Sequence, residues 1–183
     1  GSGKTTTIIM RIYYLILKKK IRPKNITVTT FTREAAESMK QKLHDFFGSV
    51  PAIEIGTIDS ISYKNIHIYN PDLLKDTVYN VGEYSILFQN LLKDNEEIRM
   101  KYLQNKNYIF VDEFQDMTQT HFDLISLYVN EGANLTVVGD DAQNIFTFRG
   151  SHVKYLLNFE EYFNNVITYK LTKNYRSTES IIK

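Results

Sequence analysis

Cysteine and tryptophan are absent from this chain of 183 residues. Without cysteine there is no disulfide framework, no thiol nucleophile and no Cys-ligated zinc, a pattern that fits a reducing compartment. Without tryptophan, any aromatic stacking falls to the 13 Tyr and 11 Phe. An excess of charge is also missing: 22 Lys+Arg stand against 21 Asp+Glu, a formal net charge of +1. No global basic field draws the chain onto nucleic acid, so any such contact must be local. The longest apolar-leaning stretch, Ile8 to Leu17, is broken by Arg11 and falls far short of the roughly 20 residues a bilayer crossing needs. Prolines (3) and glycines (8) are few, and there is neither an internal repeat nor a low-complexity linker.

What is present suffices for a core. At 43% hydrophobic and 13% aromatic residues, a chain of this size can hide roughly 70% of the surface its unfolded form exposes. Its length corresponds to one domain, or one plus an insert. The opening Gly1-Ser2-Gly3-Lys4 has no Met, no basic n-region and no apolar h-region, so no secretory signal is expected. A soluble protein is expected, in the cytoplasm, or in the nucleus if the source is eukaryotic or viral.

Hydrophobic spacing supplies the elements. Thr5 to Lys20 reads as a helix with Ile8, Ile9, Ile12, Leu15 and Ile16 on one face, and Lys18 to Lys20 read as its solvated C-terminal end. Ile26 to Thr30 is a short β-branched run. Thr32 can cap a following helix in which Ala35, Ala36, Met39, Leu43 and Phe46 recur at helical spacing. Further strands are expected at Ala52 to Ile55, Tyr108 to Val111, Leu135 to Val138 and Val166 to Leu171. The segment 63–107 reads as a small helical insert, with a helix from Glu83 to Gln104 striped by Tyr84, Leu87, Phe88, Leu91 and Leu92. Short buried strands alternating with amphipathic helices imply an α/β fold with a mainly parallel sheet and flanking helices. In such sheets the chemistry gathers at the carboxyl ends of the strands.

Two half-motifs carry that chemistry. Gly1-Ser2-Gly3-Lys4-Thr5 matches the second half of the phosphate-loop pattern, in which small residues let backbone N–H groups approach phosphate and the lysine reaches the outer phosphates. The same residues could equally be a linker, but here they open a helix whose N-terminal dipole favours an anion. The strand expected to lead into the loop, and the loop's opening glycine, are missing from the chain, so the first strand is expected to be truncated. Tyr108-Ile109-Phe110-Val111 leads into Asp112-Glu113: hard carboxylate oxygens suit Mg²⁺, and an adjacent carboxylate can polarise an attacking water. The plain alternative is a strand end followed by acidic helix-start residues.

The order of motifs narrows the field. Gly1 to Thr5, Thr30-Phe31-Thr32-Arg33-Glu34-Ala35-Ala36, Gly56-Thr57, Asp112-Glu113-Phe114-Gln115-Asp116, Val138 through Gly150 and Asn174-Tyr175-Arg176-Ser177-Thr178 together resemble the motif series of UvrD/Rep-type superfamily 1 DNA helicases. The resemblance runs from residue 1 to about residue 180 and covers the first of that family's two RecA-like motor lobes, a P-loop NTPase fold. It implies ATP and Mg²⁺ as cofactors. Gly1, Ser2, Gly3, Lys4, Thr5 and Thr6 would cradle the phosphates, Thr5 and Asp112 the metal, and Tyr175 the adenine. Glu113 would be the catalytic base, Gln143 the γ-phosphate sensor and Arg176 a cation on the γ-phosphate. Single-stranded DNA, or a duplex/single-strand junction, would lie across Phe31, Phe146, Phe148 and Arg149, with Thr32 and Thr57 on backbone phosphates. Stacking on aromatics is worth roughly 1 to 3 kcal/mol per base and tolerates any sequence, as a motor requires.

Two departures from the family pattern stand out. Where the family commonly has Gly-Thr-x-His, this chain has Gly56-Thr57-Ile58-Asp59, a carboxylate in place of an imidazole. The 63–107 insert is also much smaller than the accessory subdomain that the family usually carries there. A second motor lobe in the same chain is an implied partner, and its arginine would be needed for full rate, so the 183-residue segment alone is expected to hydrolyse ATP barely. The rival readings are another P-loop NTPase, a nucleic-acid-binding module that does not hydrolyse, and the helicase part of a helicase-nuclease.

Overall fold

The computed structural model describes residues 3–75, 79–80, 82–140 and 153–172. Of the sequence-derived site residues, Gly1, Ser2, Gln143, Phe146, Phe148, Arg149, Tyr175 and Arg176 lie outside them.

Four strands form one sheet: β1 (Ile26–Thr30), β2 (Glu54–Thr57), β3 (Tyr108–Val111) and β4 (Asn134–Val137). Their spatial order is β2-β1-β3-β4 and every pairing is parallel. All four strands therefore end on one edge, at Thr30, Thr57, Val111 and Val137. Parallel pairing requires a crossover between strands, and here the crossovers are helical. Helix α1 (Lys4–Leu17) precedes β1; the crossovers include α2 (Arg33–Phe47) between β1 and β2, α3 (Ile58–Tyr69), α4 (Glu83–Asp94) and α5 (Glu96–Leu103) between β2 and β3, and α6 (Gln119–Asn130) between β3 and β4; the short α7 (Lys154–Leu157) and α8 (Phe159–Tyr162) follow β4. No helix among the described residues is long and apolar enough to cross a membrane.

Alternation along the strands divides the core. Ile26, Val28 and Phe110 pack with Ile8, Ile9, Ile12 and Leu15 of α1 and Met39 and Leu43 of α2. Ile109 and Val111 pack on the other side, with Phe88, Leu92, Tyr102, Phe114, Ile125 and Tyr155. Both faces are covered, which is why the strand sequences read as continuous apolar or β-branched runs.

Local chemistry sets the ends of the helices. Thr32, Thr57, Asn95 and Thr118 each accept a hydrogen bond from the backbone N–H three residues on, capping α2, α3, α5 and α6. Asn95 also divides the helix expected from Glu83 to Gln104 into α4 and α5. Periodicity alone cannot show that break, because apolar positions continue in register across it. Gly56 sits where β2 turns into α3, and a Cβ there would lie 2.5 Å from Ser60 Oγ. Two expectations fail: Phe46 points outward at 47% exposure, and residues 166–172 form no strand. Ile167 and Tyr169 are 75% and 83% exposed; their alternation is strand-like, but a strand exists only where its N–H and C=O groups find a partner.

The amino ends of the strands hold a buried polar hub. Glu54 accepts from Lys106 Nζ (2.7 Å), Asn65 Nδ2 (2.9 Å), Tyr102 Oη (3.3 Å) and Thr27 Oγ1 (3.3 Å). Burial alone would raise the Glu54 carboxyl's pKa, but the Lys106 charge and hydrogen bond, the Asn65 amide and Lys64 outweigh it and hold the group below its ordinary value.

Candidate nucleotide site and its neighbouring cleft

At the carboxyl edge, four side chains from distant parts of the sequence meet. Gly3 adopts a left-handed conformation (φ 83°) and starts α1, which places Lys4 and Thr5 in the first helical turn. Thr5 Oγ1 donates to Asp112 Oδ2 at 2.9 Å, and Lys4 Nζ lies 3.3 Å from Asp140 Oδ2 just beyond β4. Thr6 is exposed on the same turn. The N–H groups of that turn and the positive end of the helix suit an anion.

The acidic pair is rigidly held. The Asp112 N–H donates to Thr29 O (2.9 Å), the Phe114 N–H to Val138 O (3.0 Å) and the Val138 N–H to Val111 O (2.9 Å). Between these anchors Glu113 takes a left-handed conformation, φ 55° and ψ 49°, which costs a non-glycine residue about 1 kcal/mol or more and recurs at functional sites. The Glu113 N–H bonds to Asp112 Oδ1 at 3.0 Å. Burial pushes the Asp112 carboxyl up, and the Glu113 charge adds to it, more than the Thr5 hydroxyl, the Glu113 N–H and Lys4 pull it down. A carboxylate in that state gains from a nearby cation.

The donor set fits Mg²⁺. A hydroxyl and a carboxylate, both hard oxygens, converge at 2.9 Å. Among the described residues no three His, Asp or Glu form a self-sufficient metal cage, and Mg²⁺ characteristically takes one or two protein oxygens with phosphates and waters for the remainder.

A cleft adjoins this edge. Phe31, Thr57, Asp59 and His121 line it together with Asp112 and Glu113. Phe31 and Thr57 are thus brought together beside the acidic pair, whereas Thr32 is exposed at the start of α2. Both threonines accept a capping hydrogen bond, which leaves each hydroxyl its proton to donate. Asp59, in the position where the resemblance expects an imidazole, instead faces one: His121 Nε2 of α6 lies 3.6 Å from its carboxylate. Burial pushes Asp59 up, but His121 and the Ser85 N–H prevail and hold it below its ordinary value. A lone histidine on a helix offers no sequence signal for this pairing.

Asp116 also lines the cleft. It is 4% exposed, and Oδ1 has no hydrogen-bond partner among the described residues. Burial, reinforced by the Glu113 charge, pushes its pKa up from 3.8 to about 6. A folded-state value above the unfolded one means that the group's stabilising contribution is complete below the unfolded pKa and is lost as pH rises through the folded one. Asp116→Asn should therefore leave urea stability almost unchanged at pH 4 and raise it by about 1 to 3 kcal/mol at pH 8. An Asn variant no more stable than the parent at pH 8 would show that no buried charge is being relieved.

A covered parallel sheet with a helix N-terminus, a lysine, a hydroxyl and two carboxylates on its carboxyl edge defines a RecA-like α/β lobe. The chain belongs to the UvrD/REP helicase family, matching the UvrD/REP helicase N-terminal domain over residues 1–75 and 64–164. It is similar to a probable DNA helicase II homolog of Mycoplasma capricolum subsp. capricolum, 28% identical over 264 residues that include all of this chain and 37% of the relative. It is also similar to the ATP-dependent DNA helicases PcrA of Staphylococcus epidermidis (28% identical over 260 residues) and Staphylococcus aureus (27% over 260), in each case across all of this chain and 36% of the relative. The chain thus spans just over a third of the length of these relatives. The aligned stretches are longer than the chain itself, so the relatives carry residues within them that this chain does not have.

Proposed function

We propose that this chain is the nucleotide-binding motor lobe of an ATP-dependent DNA helicase, and that with a second lobe it couples ATP hydrolysis to movement along single-stranded DNA. The observation that carries the reading is the contact between Thr5 and Asp112, 107 residues apart, at the N-terminus of α1 and beside Glu113. Lys4 would exchange its Asp140 partner for the outer phosphate oxygens. Thr5 and Asp112 would hold Mg²⁺, which supplies neutralisation of phosphate charge. Glu113 would accept a hydrogen bond from the attacking water and orient it for in-line attack. Arg176 and Gln143 are proposed to act on the γ-phosphate, and Tyr175 on the adenine.

The nucleic acid is proposed to run over the cleft that Phe31 and Thr57 line, with Thr32, Phe146, Phe148 and Arg149 as further contacts. Support comes from the shared wall: Asp112 and Glu113 border that same cleft, so a strand lying there would touch the backbone that carries the base. Steady-state ATP hydrolysis by the full-length protein should rise at least tenfold when single-stranded DNA is added, and Lys4→Ala should abolish it. Hydrolysis indifferent to DNA would place the protein with other P-loop NTPases, and DNA binding without any hydrolysis would make it a binding module.

A further inference from the structure

Gln115 is 2% exposed and stands immediately behind the acidic pair, in the short 3-10 turn Phe114–Asp116. Both ends of its amide are engaged. Nε2 donates to Glu113 Oε2 at 2.9 Å, and Oε1 accepts from the Asp140 N–H at 3.0 Å. Only one amide orientation meets these partners, because a backbone N–H requires an oxygen and a carboxylate requires a donor. A third observation concerns the space. At Gly139 an added Cβ would lie 2.9 Å from Gln115 Oε1, so the absence of a side chain there keeps the path from β4 to the glutamine open.

We propose that Gln115 is a positioning residue for hydrolysis: it selects the Glu113 carboxylate orientation and links that orientation to Asp140, which also holds Lys4. The proposal rests on Glu113 as the base. Lys4, Asp140, Gln115 and Glu113 form one continuous path at the carboxyl edge. Gln115 is bonded to the Asp140 backbone N–H, so a shift of the Asp140 main chain when Lys4 turns to a phosphate would reach Glu113 through a single side chain. A left-handed glutamate offers its carboxylate several rotamers, and a charge-assisted hydrogen bond to a buried amide favours one of them.

The test uses the full-length protein, with single-turnover ATP hydrolysis and equilibrium binding of a fluorescent ATP analogue measured side by side. Gln115→Met preserves the volume and removes both hydrogen bonds. Gln115→Glu keeps an acceptor for the Asp140 N–H but turns an oxygen towards Glu113. Each should lower the hydrolysis rate at least tenfold while nucleotide affinity stays within about threefold. If either variant fails to fold, Gly139→Ala serves instead, since it crowds Oε1 and Leu156 only at their flexible ends; it should slow hydrolysis about threefold or more with affinity unchanged. Met and Ala variants that hydrolyse within twofold of the parent overturn the proposal, and so does a parallel loss of rate and affinity. Glu113→Gln run alongside separates the two readings. If it abolishes hydrolysis while Gln115→Met does not, only the role of Gln115 fails; if Glu113→Gln itself turns over normally, the base assignment fails first.

Discussion

Glu113→Gln in the full-length protein should reduce ATP hydrolysis by about 10² to 10⁴, the range that a positioned general base contributes, which is roughly 3 to 5 kcal/mol of barrier at 1.36 kcal/mol per tenfold. Nucleotide binding should survive. The amide has the shape of the carboxylate, so the left-handed backbone at residue 113 and the anchoring of Asp112, Phe114 and Val138 are undisturbed. What is lost is the negative oxygen that can polarise a water, while the proposed phosphate and metal ligands Lys4, Thr5 and Asp112 stay in place. A single-turnover assay with a parallel binding titration separates the two quantities. A variant that hydrolyses ATP at the parental rate would remove Glu113 from the mechanism, and one that no longer binds nucleotide would make its role structural.

Lys106→Met should be the most destabilising of the single changes considered, by about 3 kcal/mol at pH 7.5, because it strips the cationic partner from a buried carboxylate. The side chains of Lys106 and Glu54 are 12% and 9% exposed, so little water is available to replace the lost contact. The pH dependence gives the sign. In the parent the Glu54 carboxyl lies below its ordinary value, so its contribution is present above the unfolded pKa and is lost as pH falls through the folded one. Without Lys106 the cost of burial dominates, the shift reverses, and the penalty should shrink on going from pH 7.5 to pH 4. Adding Glu54→Gln to Lys106→Met should recover at least half of the lost stability in urea unfolding. A double variant as unstable as the single one would mean that Lys106 acts on the Tyr102 ring, 5.1 Å from its ammonium, rather than through Glu54.

Much of this architecture was legible in the residue pattern, for reasons that differ between its parts. Strands buried on both faces leave unbroken runs such as Ile26 to Thr30 and Tyr108 to Val111, and a helix against them leaves a stripe such as Ile8, Ile9, Ile12 and Leu15. Capping is local, so the sequence marks Thr32 as a cap, and its hydroxyl accepts from the Ala35 N–H. The division of α4 from α5 at Asn95 was not legible, since the apolar stripe continues through it. The strand-like run from Val166 was misleading, because a partner edge is a tertiary property.

At the site the same boundary holds. Hydrophobic spacing and motif order by themselves pointed to the parallel α/β class and the family, and singled out Lys4, Thr5, Asp112 and Glu113, which the fold brings to one edge of the sheet. Those assignments need only short stretches of chain whose chemistry is carried by neighbours in sequence. Tertiary structure alone decided that Asp140 holds Lys4, that Gln115 spans from Glu113 to the end of β4, that Asp59 faces His121 and that Glu54 receives Lys106. Each of these depends on which strand ends lie side by side, and strand order is set by packing over the whole sheet, which no single segment encodes.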